Sequence, residues 1–322
     1  MTHSAAPSSD SAAAESVPTE STPAPVSPAP AMIPPVSAPP ATVDAPWPAL
    51  LRLRPRRVIA AAATLVITAW AVFLAVDIAN LGGVGDQLPK PMWTYLFNDH
   101  LVEVSQWFVY AVLILAAGYL AGRLAGGRYA GAATFFFLIG LGLGFMLVEE
   151  SGDIRHAISG AVRLHLGETV AGLPYQVFSD VPYFAALAAL PLYAVLRHGR
   201  HVWRVPPIRP YLVTSVTLYA FASIGSGLRH LGDLYSTLGA GIDRVFFGGR
   251  FPAAPDQTQE RAHYFVVDGL IEESVELFAV CCMFAVVLAF AAHVRAQRPA
   301  VLAAAAPAAP APTPAASPPA PV

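Results

Sequence analysis

The feature that most constrains this chain is a series of apolar stretches without a single Asp, Glu, Lys or Arg. A run of about 18 or more such residues is long enough, as a helix, to cross a hydrocarbon core of about 30 Å. Only helices and closed barrels satisfy their backbone polar groups inside lipid. Continuous apolar runs, rather than alternating ones, choose the helix. Composition agrees: 55% of the 322 residues are hydrophobic and 12% are charged, about half the charge usual for a soluble domain.

Six spans can be drawn, over residues 58–80, 100–120, 130–148, 182–196, 211–228 and 265–293. The third can continue helically to 158. The fourth is short and interrupted by Pro191, so it needs neighbours to satisfy the freed carbonyl. The expected fold is an all-α integral membrane protein, a bundle of about six transmembrane helices over residues 49–298. Residues 1–48 and 299–322 are dominated by Ala, Pro, Ser and Thr, too poor in large apolar side chains to offset the entropy of ordering, and are expected to be disordered tails.

Arginines orient the bundle. Arg52, Arg54, Arg56 and Arg57 precede the first span. Arg123 and Arg128 follow the second; Arg197, Arg200, Arg204 and Arg209 follow the fourth; Arg295 and Arg298 follow the sixth. With six spans these groups share one side, against Lys90, Arg155 and Arg163 on the other and an exceptional third loop there with Arg244, Arg250 and Arg261. On balance both termini are expected in the cytoplasm, of a bacterial inner membrane. The net charge of −2 and the lack of basic stretches interleaved with aromatics make nucleic acid an unexpected partner. Membrane lipids are the expected surroundings. Cys281 and Cys282 are adjacent within an apolar run and read as packing residues.

The remaining ionisable residues gather at the opposite side. Span two opens with His100 and Glu103. Span three closes with Glu149, Glu150, Asp153, Arg155 and His156. Span five closes with Arg229, His230 and Asp233. Span six opens with Asp268, Glu272, Glu273 and Glu276, and Asp77 lies near the end of span one. His100/Glu103, Asp153/His156, His230/Asp233 and Glu273/Glu276 are i, i+3 pairs, neighbours on one helical face. On a straight helix Glu149, Asp153 and His156 fall within an arc of about 60°, and Asp268, Glu272 and Glu276 within about 80°.

A charge deep in a span costs at least about 2.5 kcal/mol on insertion scales, so this cluster calls for compensation. A divalent metal is one form of it, and mixed Asp/Glu/His ligands suit iron, manganese or zinc. The pattern resembles the ligand logic of di-iron and di-manganese carboxylate bundles, which use inward Glu residues with Glu-x-x-His pairs. It departs from them in order and identity: His-x-x-Glu, Asp-x-x-His, His-x-x-Asp and Glu-x-x-Glu. No HExxH motif and no set of histidine boxes occurs. The expected ligands are His100, Glu103, Glu149, Asp153, His156, His230, Asp233, Glu273 and Glu276. Glu150 and Glu272 are expected to act as catalytic or proton-relay groups, with Arg155 and Arg229 as counter-ions or substrate contacts.

The expected function is that of a membrane metalloenzyme, an iron-dependent oxidoreductase acting on an apolar or lipid-like substrate. A zinc hydrolase built on His100, His156 and His230 is a variant of it. A proton- or cation-coupled transporter or channel would use the same buried carboxylates as relays. A non-catalytic membrane subunit would use them only to hold helices together.

Overall fold

The computed structural model describes residues 46–97, 100–229 and 232–305, with side chains through residue 297. The tails expected to be disordered fall almost wholly outside these residues. Among the described residues six helices are long and apolar enough to cross a membrane. They are Pro55–Ile78, Met92–Leu124, Ala130–Gly152, Tyr175–Trp203, Pro206–Leu228 and Gln259–Gln297. The protein is thus an all-α membrane bundle, as its apolar runs require.

α1 (Pro55–Phe73) starts with proline in its first turn, after an extended Arg54, where the missing N–H costs nothing. It widens by one turn through Ile78 and stops at Asn80, whose backbone is left-handed (φ 46°). The carboxylate of Asp77 accepts the backbone N–H groups of Met92 and Trp93 at 2.7 and 2.8 Å, holding the start of the short helix α2 (Met92–Leu96). Asp77 is therefore a helix-capping residue rather than a member of the functional cluster.

α3 (Leu101–Leu124) and α4 (Ala130–Gly152) form an antiparallel pair. Of the glycines in α4, Gly140 faces Ala117. Gly142 meets the ring of Pro191, where a Cβ would lie 2.6 Å from the proline Cδ. Gly144 has nothing within 4 Å. Small residues let helices approach closely in membranes, and here that reading holds for Gly140 and Gly142.

The third span does not continue as one helix. Asp153 adopts left-handed backbone angles (φ 48°, ψ 39°), α4 ends at Gly152, and a separate helix α5 (Ile154–Leu166) turns away to pack on α6. A tight two-residue hairpin, β1 (Thr169–Val170) with β2 (Leu173–Pro174), leads into α6 (Tyr175–Tyr193). That helix is longer than its sequence signal. It carries Pro182 and Pro191, widens over Ala194–His198 and ends in α7 (Gly199–Trp203). α8 (Arg209–Leu228) follows, then α9 (Leu234–Ile242) and α10 (Gln259–Phe265). These last two pack tightly, because a Cβ on Gly239 would fall 1.8 Å from the carbonyl oxygen of His263. A wide turn, Val266–Glu272, joins α10 to α11 (Glu273–Ala305). α11 is helical past residue 299, where the C-terminal tail was expected to begin.

The last span is the axis of the bundle. Its most apolar window is 78% buried, against 17–44% for the other five. A helix apolar on all sides belongs inside. α1, α3 and α8 pack around it; Trp70 of α1 donates to the Ser274 hydroxyl at 3.0 Å, and Ser215 of α8 to the Ala279 carbonyl at 2.8 Å. At the far end Arg295 donates to the carbonyl of Leu51, so the beginning and end of the bundle lie together on the arginine-bearing face.

Substituting Gly142 by valine should force the Pro191 ring out of its contact and lower stability by about 1–3 kcal/mol. Gly144→Val should have little effect, because nothing approaches it. Thermal unfolding of both variants in detergent makes the comparison; equal losses would show that the α4–α6 contact is not limiting.

Candidate functional site

Two arginine-centred networks stand at the face opposite the arginine-rich one. The first follows from the break at Asp153. By ending α4, it lets α5 fold back and bury Arg155 between Glu149, at 3.7 Å, and Asp180 of α6, at 3.3 Å. Glu149 also accepts the Arg155 backbone N–H at 3.1 Å and the Tyr183 hydroxyl. Ser159 and Ser179 donate to Asp180 at 3.1 and 2.7 Å. The four-residue set Glu149, Arg155, Asp180 and Tyr183 thereby staples α4, α5 and α6 together.

The second network sits where α8 ends. The Arg229 guanidinium donates to Asp268 and Glu272, both at 3.0 Å, and to the Ser226 hydroxyl at 2.6 Å. Ser226 donates in turn to Glu272. Tyr235 reaches the other Glu272 oxygen at 3.2 Å, and Tyr264 donates to Asp268 at 3.2 Å. Gly225 leaves room for this, since a Cβ there would lie 2.8 Å from the Tyr235 hydroxyl. Burial works against the Arg229 charge, but Asp268 and Glu272 outweigh it and raise the guanidinium pKa above its ordinary value. Burial, and then the Glu272 charge, push the Tyr235 hydroxyl up as well, so it remains a neutral donor.

Between the two networks lies an inner group with no arginine of its own: Glu150 of α4, and Glu273 and Glu276 of α11. None of the three makes an ion pair among the described residues. Each lies within electrostatic reach of the others, and Glu103 of α3 is also within reach of Glu150 and Glu273. Gln106 of α3 donates to Glu276 at 2.8 Å. The hydroxyls of Tyr110 and Tyr219, 3.1 Å apart, complete the polar layer above the apolar middle of the bundle. Glu273 Oε2 and Gln106 Oε1 are buried without a hydrogen-bond partner. Such orphans are uncommon in native proteins and call for an explanation.

The inner group opens in one direction onto a cleft of about 320 Å³ between α4, α6, α8 and α11. Its walls are apolar, with Ile139, Leu143, Leu187 and Pro191 among them. Glu149, Glu150, Glu276, Tyr219 and Ser226 bring polar groups to it. Leu192 of α6 and Ile224 of α8 line the cleft yet are 55% and 62% exposed, so its mouth lies between these two helices, toward the lipid. Beyond Arg229 is a separate polar vestibule of about 450 Å³, lined by Arg229, Asp233, Tyr235, Glu260, Arg261 and Tyr264. Arg229 and Tyr235 thus stand between the vestibule and the buried carboxylates.

The sequence-derived site residues separate into three groups. Glu103, Glu149, Glu150, Glu272, Glu273, Glu276, Arg155 and Arg229 are brought to one polar layer. Asp153 and His156 are not: they pair with each other on the surface, with side chains 69% and 64% exposed, because the left-handed turn destroys the common stripe with Glu149. His100 is exposed at the start of α3, edge-on to Tyr95, and Asp233 is exposed in the vestibule. His230 lies outside the described residues. Sequence spacing missed Asp180, Tyr183, Ser226 and Tyr235; a lone Asp two residues before the fourth span as drawn was the one available signal. Among the described residues no three His, Cys, Asp or Glu side chains are placed to hold one metal ion. The expected Glu/His centre is therefore not assembled among the described residues, and His230, one of its expected ligands, lies outside them.

Compared with protein-family models, with curated proteins and with solved structures, the chain has no match.

Removing Arg229 leaves the buried Glu272 and the half-buried Asp268 without an ion-pair partner. Arg229→Gln should cost about 3–5 kcal/mol of stability, and adding Glu272→Gln should recover part of it. Tyr235→Phe removes one hydrogen bond and should cost about 1 kcal/mol. A double-mutant cycle by chemical denaturation measures the coupling; strictly additive losses would show that the pair does not act as a unit.

Proposed function

We propose that this protein draws an amphiphilic, lipid-like molecule from the bilayer into the α4/α6/α8/α11 cleft and performs acid–base chemistry at its polar end through Glu150, Glu273 and Glu276. One observation carries this reading: Glu150 and Glu276, neither with an ion-pair partner among the described residues, line an apolar cleft that opens between two membrane helices, with Glu273 within electrostatic reach of both. Arg155 and Arg229 are already shared among Glu149, Asp180, Asp268 and Glu272. Leaving the inner carboxylates charged would cost several kcal/mol each. Protons remove that cost without needing a histidine. A group of carboxyls holding at least one proton but fewer protons than carboxyl groups can give one up and take one back, the requirement for a general acid–base pair.

The vestibule supports the same reading, since it offers water-borne protons a polar approach as far as Arg229 and Tyr235. Among the described residues, no polar approach of this kind leads to the carboxylates from the other half of the bundle. α11 is buried and apolar over residues 280–291, which argues for lateral entry from the bilayer over a pore through it. The arginine-rich face is the one we read as cytoplasmic.

A second reading places a cation, iron, manganese or zinc among them, in the same group, in keeping with the oxidoreductase that the spacing suggests. The observation favouring it is the pair of orphaned oxygens, Glu273 Oε2 and Gln106 Oε1. Elemental analysis separates the readings: a stoichiometric metal lost in Glu273→Gln supports the second, and its absence from both proteins supports the first.

Infrared spectroscopy of the purified protein at neutral pH should show protonated carboxyl groups, fewer in Glu276→Gln and Glu150→Gln. A photoreactive lipid should label the cleft, and Ala188→Trp, which narrows it, should reduce labelling severalfold. Fully ionised carboxyls together with unchanged labelling in Ala188→Trp would overturn the proposal.

A further inference from the structure

The arginine-bearing face holds a second cleft, remote from the carboxylates. It lies where α1 and α8 begin and α11 ends, has a volume of about 800 Å³, and is within the range of about 300–1,000 Å³ typical of ligand sites. Ala60 of α1, Pro210 and Tyr211 of α8, and Ala289 and Ala292 of α11 give it an apolar lining. Arg54, Arg56 and Arg57 line it as well, and all three are exposed.

The arginines of this face are not equivalent. Arg52 donates to the Trp47 carbonyl at 3.0 Å. Arg209 donates to the Trp203 carbonyl at 2.9 Å. Arg295 donates to the Leu51 carbonyl and lies 5.5 Å from the Trp47 ring. Arg128 donates to Gln297. These side chains are committed to holding the ends of the helices. The side chains of Arg54, Arg56 and Arg57 make no hydrogen bond or ion pair among the described residues. Three uncommitted cations in one short segment therefore border a cleft whose lining is otherwise almost wholly apolar.

We infer that this cleft binds an anionic phospholipid, with an acyl chain against Ala60, Ala289 and Ala292 and the phosphate among Arg54, Arg56 and Arg57. Charge complementarity and depth select this occupant. The arginines stand at the very start of the first span, at the level of headgroup phosphates. The small side chains below them leave a groove along α11 for a chain rather than for another helix. Basic pockets between transmembrane helices recognise anionic headgroups in this way, each arginine near the surface strengthening binding by about fivefold.

The test is native mass spectrometry of the full-length protein released from nanodiscs containing phosphatidylglycerol and phosphatidylcholine in equal amounts. Wild-type protein should retain phosphatidylglycerol preferentially. The variant Arg54→Gln/Arg56→Gln/Arg57→Gln should lose that preference, its affinity falling roughly a hundredfold if the three act independently. Ala292→Trp keeps the arginines and fills the groove, and it should also release the lipid; it serves if the triple variant does not fold. Equal retention of both lipids by wild type would overturn the inference. So would a phosphatidylglycerol preference that survives in Ala292→Trp, because the lipid would then rest on surface charge alone.

Discussion

Glu272, Glu273 and Glu276 enter the bundle on its most buried helix, and the rest of the carboxylate face is arranged around the expense of keeping them there. One turn of charge on a lipid-facing helix could reach headgroups or water by bending its side chains outward. α11 has no such outlet, because α1, α3 and α8 enclose it. The wide turn over Val266–Glu272 answers part of the problem by presenting Asp268 and Glu272 to Arg229 at the end of α8. Glu273 and Glu276 are left on the side of α3 and α4, where they meet Gln106, Glu103 and Glu150 and make no ion pair among the described residues, with Arg229 only within longer electrostatic reach of Glu276 and Glu150.

The two arginine networks and the inner carboxylates therefore have different physical roles. Arg155 with Glu149 and Asp180, and Arg229 with Asp268 and Glu272, are hydrogen-bonded sets that tie helices together, in which each carboxylate has a partner. Low dielectric strengthens the hydrogen bonds within such sets, although the Arg229 Nε itself is buried without a partner. The inner group is unsatisfied by comparison, and a rigid shell around a poorly compensated centre is how binding and proton-transfer sites are commonly built. The apolar cleft and the polar vestibule lie to either side of the Ser226–Arg229–Glu272–Tyr235 chain, so a lipid-like molecule and bulk water would approach from opposite directions.

Much of this was legible in the residues. Glu149, Glu150, Glu272, Glu273 and Glu276 were identified by the cost of placing charge in apolar runs, an argument that needs no coordinates. His156 was misplaced by the same reasoning, because it assumed that helical spacing continues past Asp153. A left-handed residue at Asp153 rotates everything after it, and neither the angle nor the direction of such a break can be read from composition. Spacing arguments are also blind to partners from distant segments: Asp180 meets Arg155 and Tyr235 meets Glu272 only through the packing of α5 on α6 and of α9 against α10.

What the sequence determined by itself is the solvent and the topology. Long uncharged runs admit only membrane-spanning helices, most of the arginines fall at one face, and the acids of the bundle fall at the other. These follow from transfer free energies, which are properties of each segment taken alone. The tertiary structure decided which helix became the axis, which carboxylates acquired an arginine and which were left to one another, and where a cleft opened to lipid. Those outcomes depend on the fit between surfaces far apart in the chain, such as Gly142 against Pro191 and Gly225 beneath Tyr235, and no segment specifies its own neighbour.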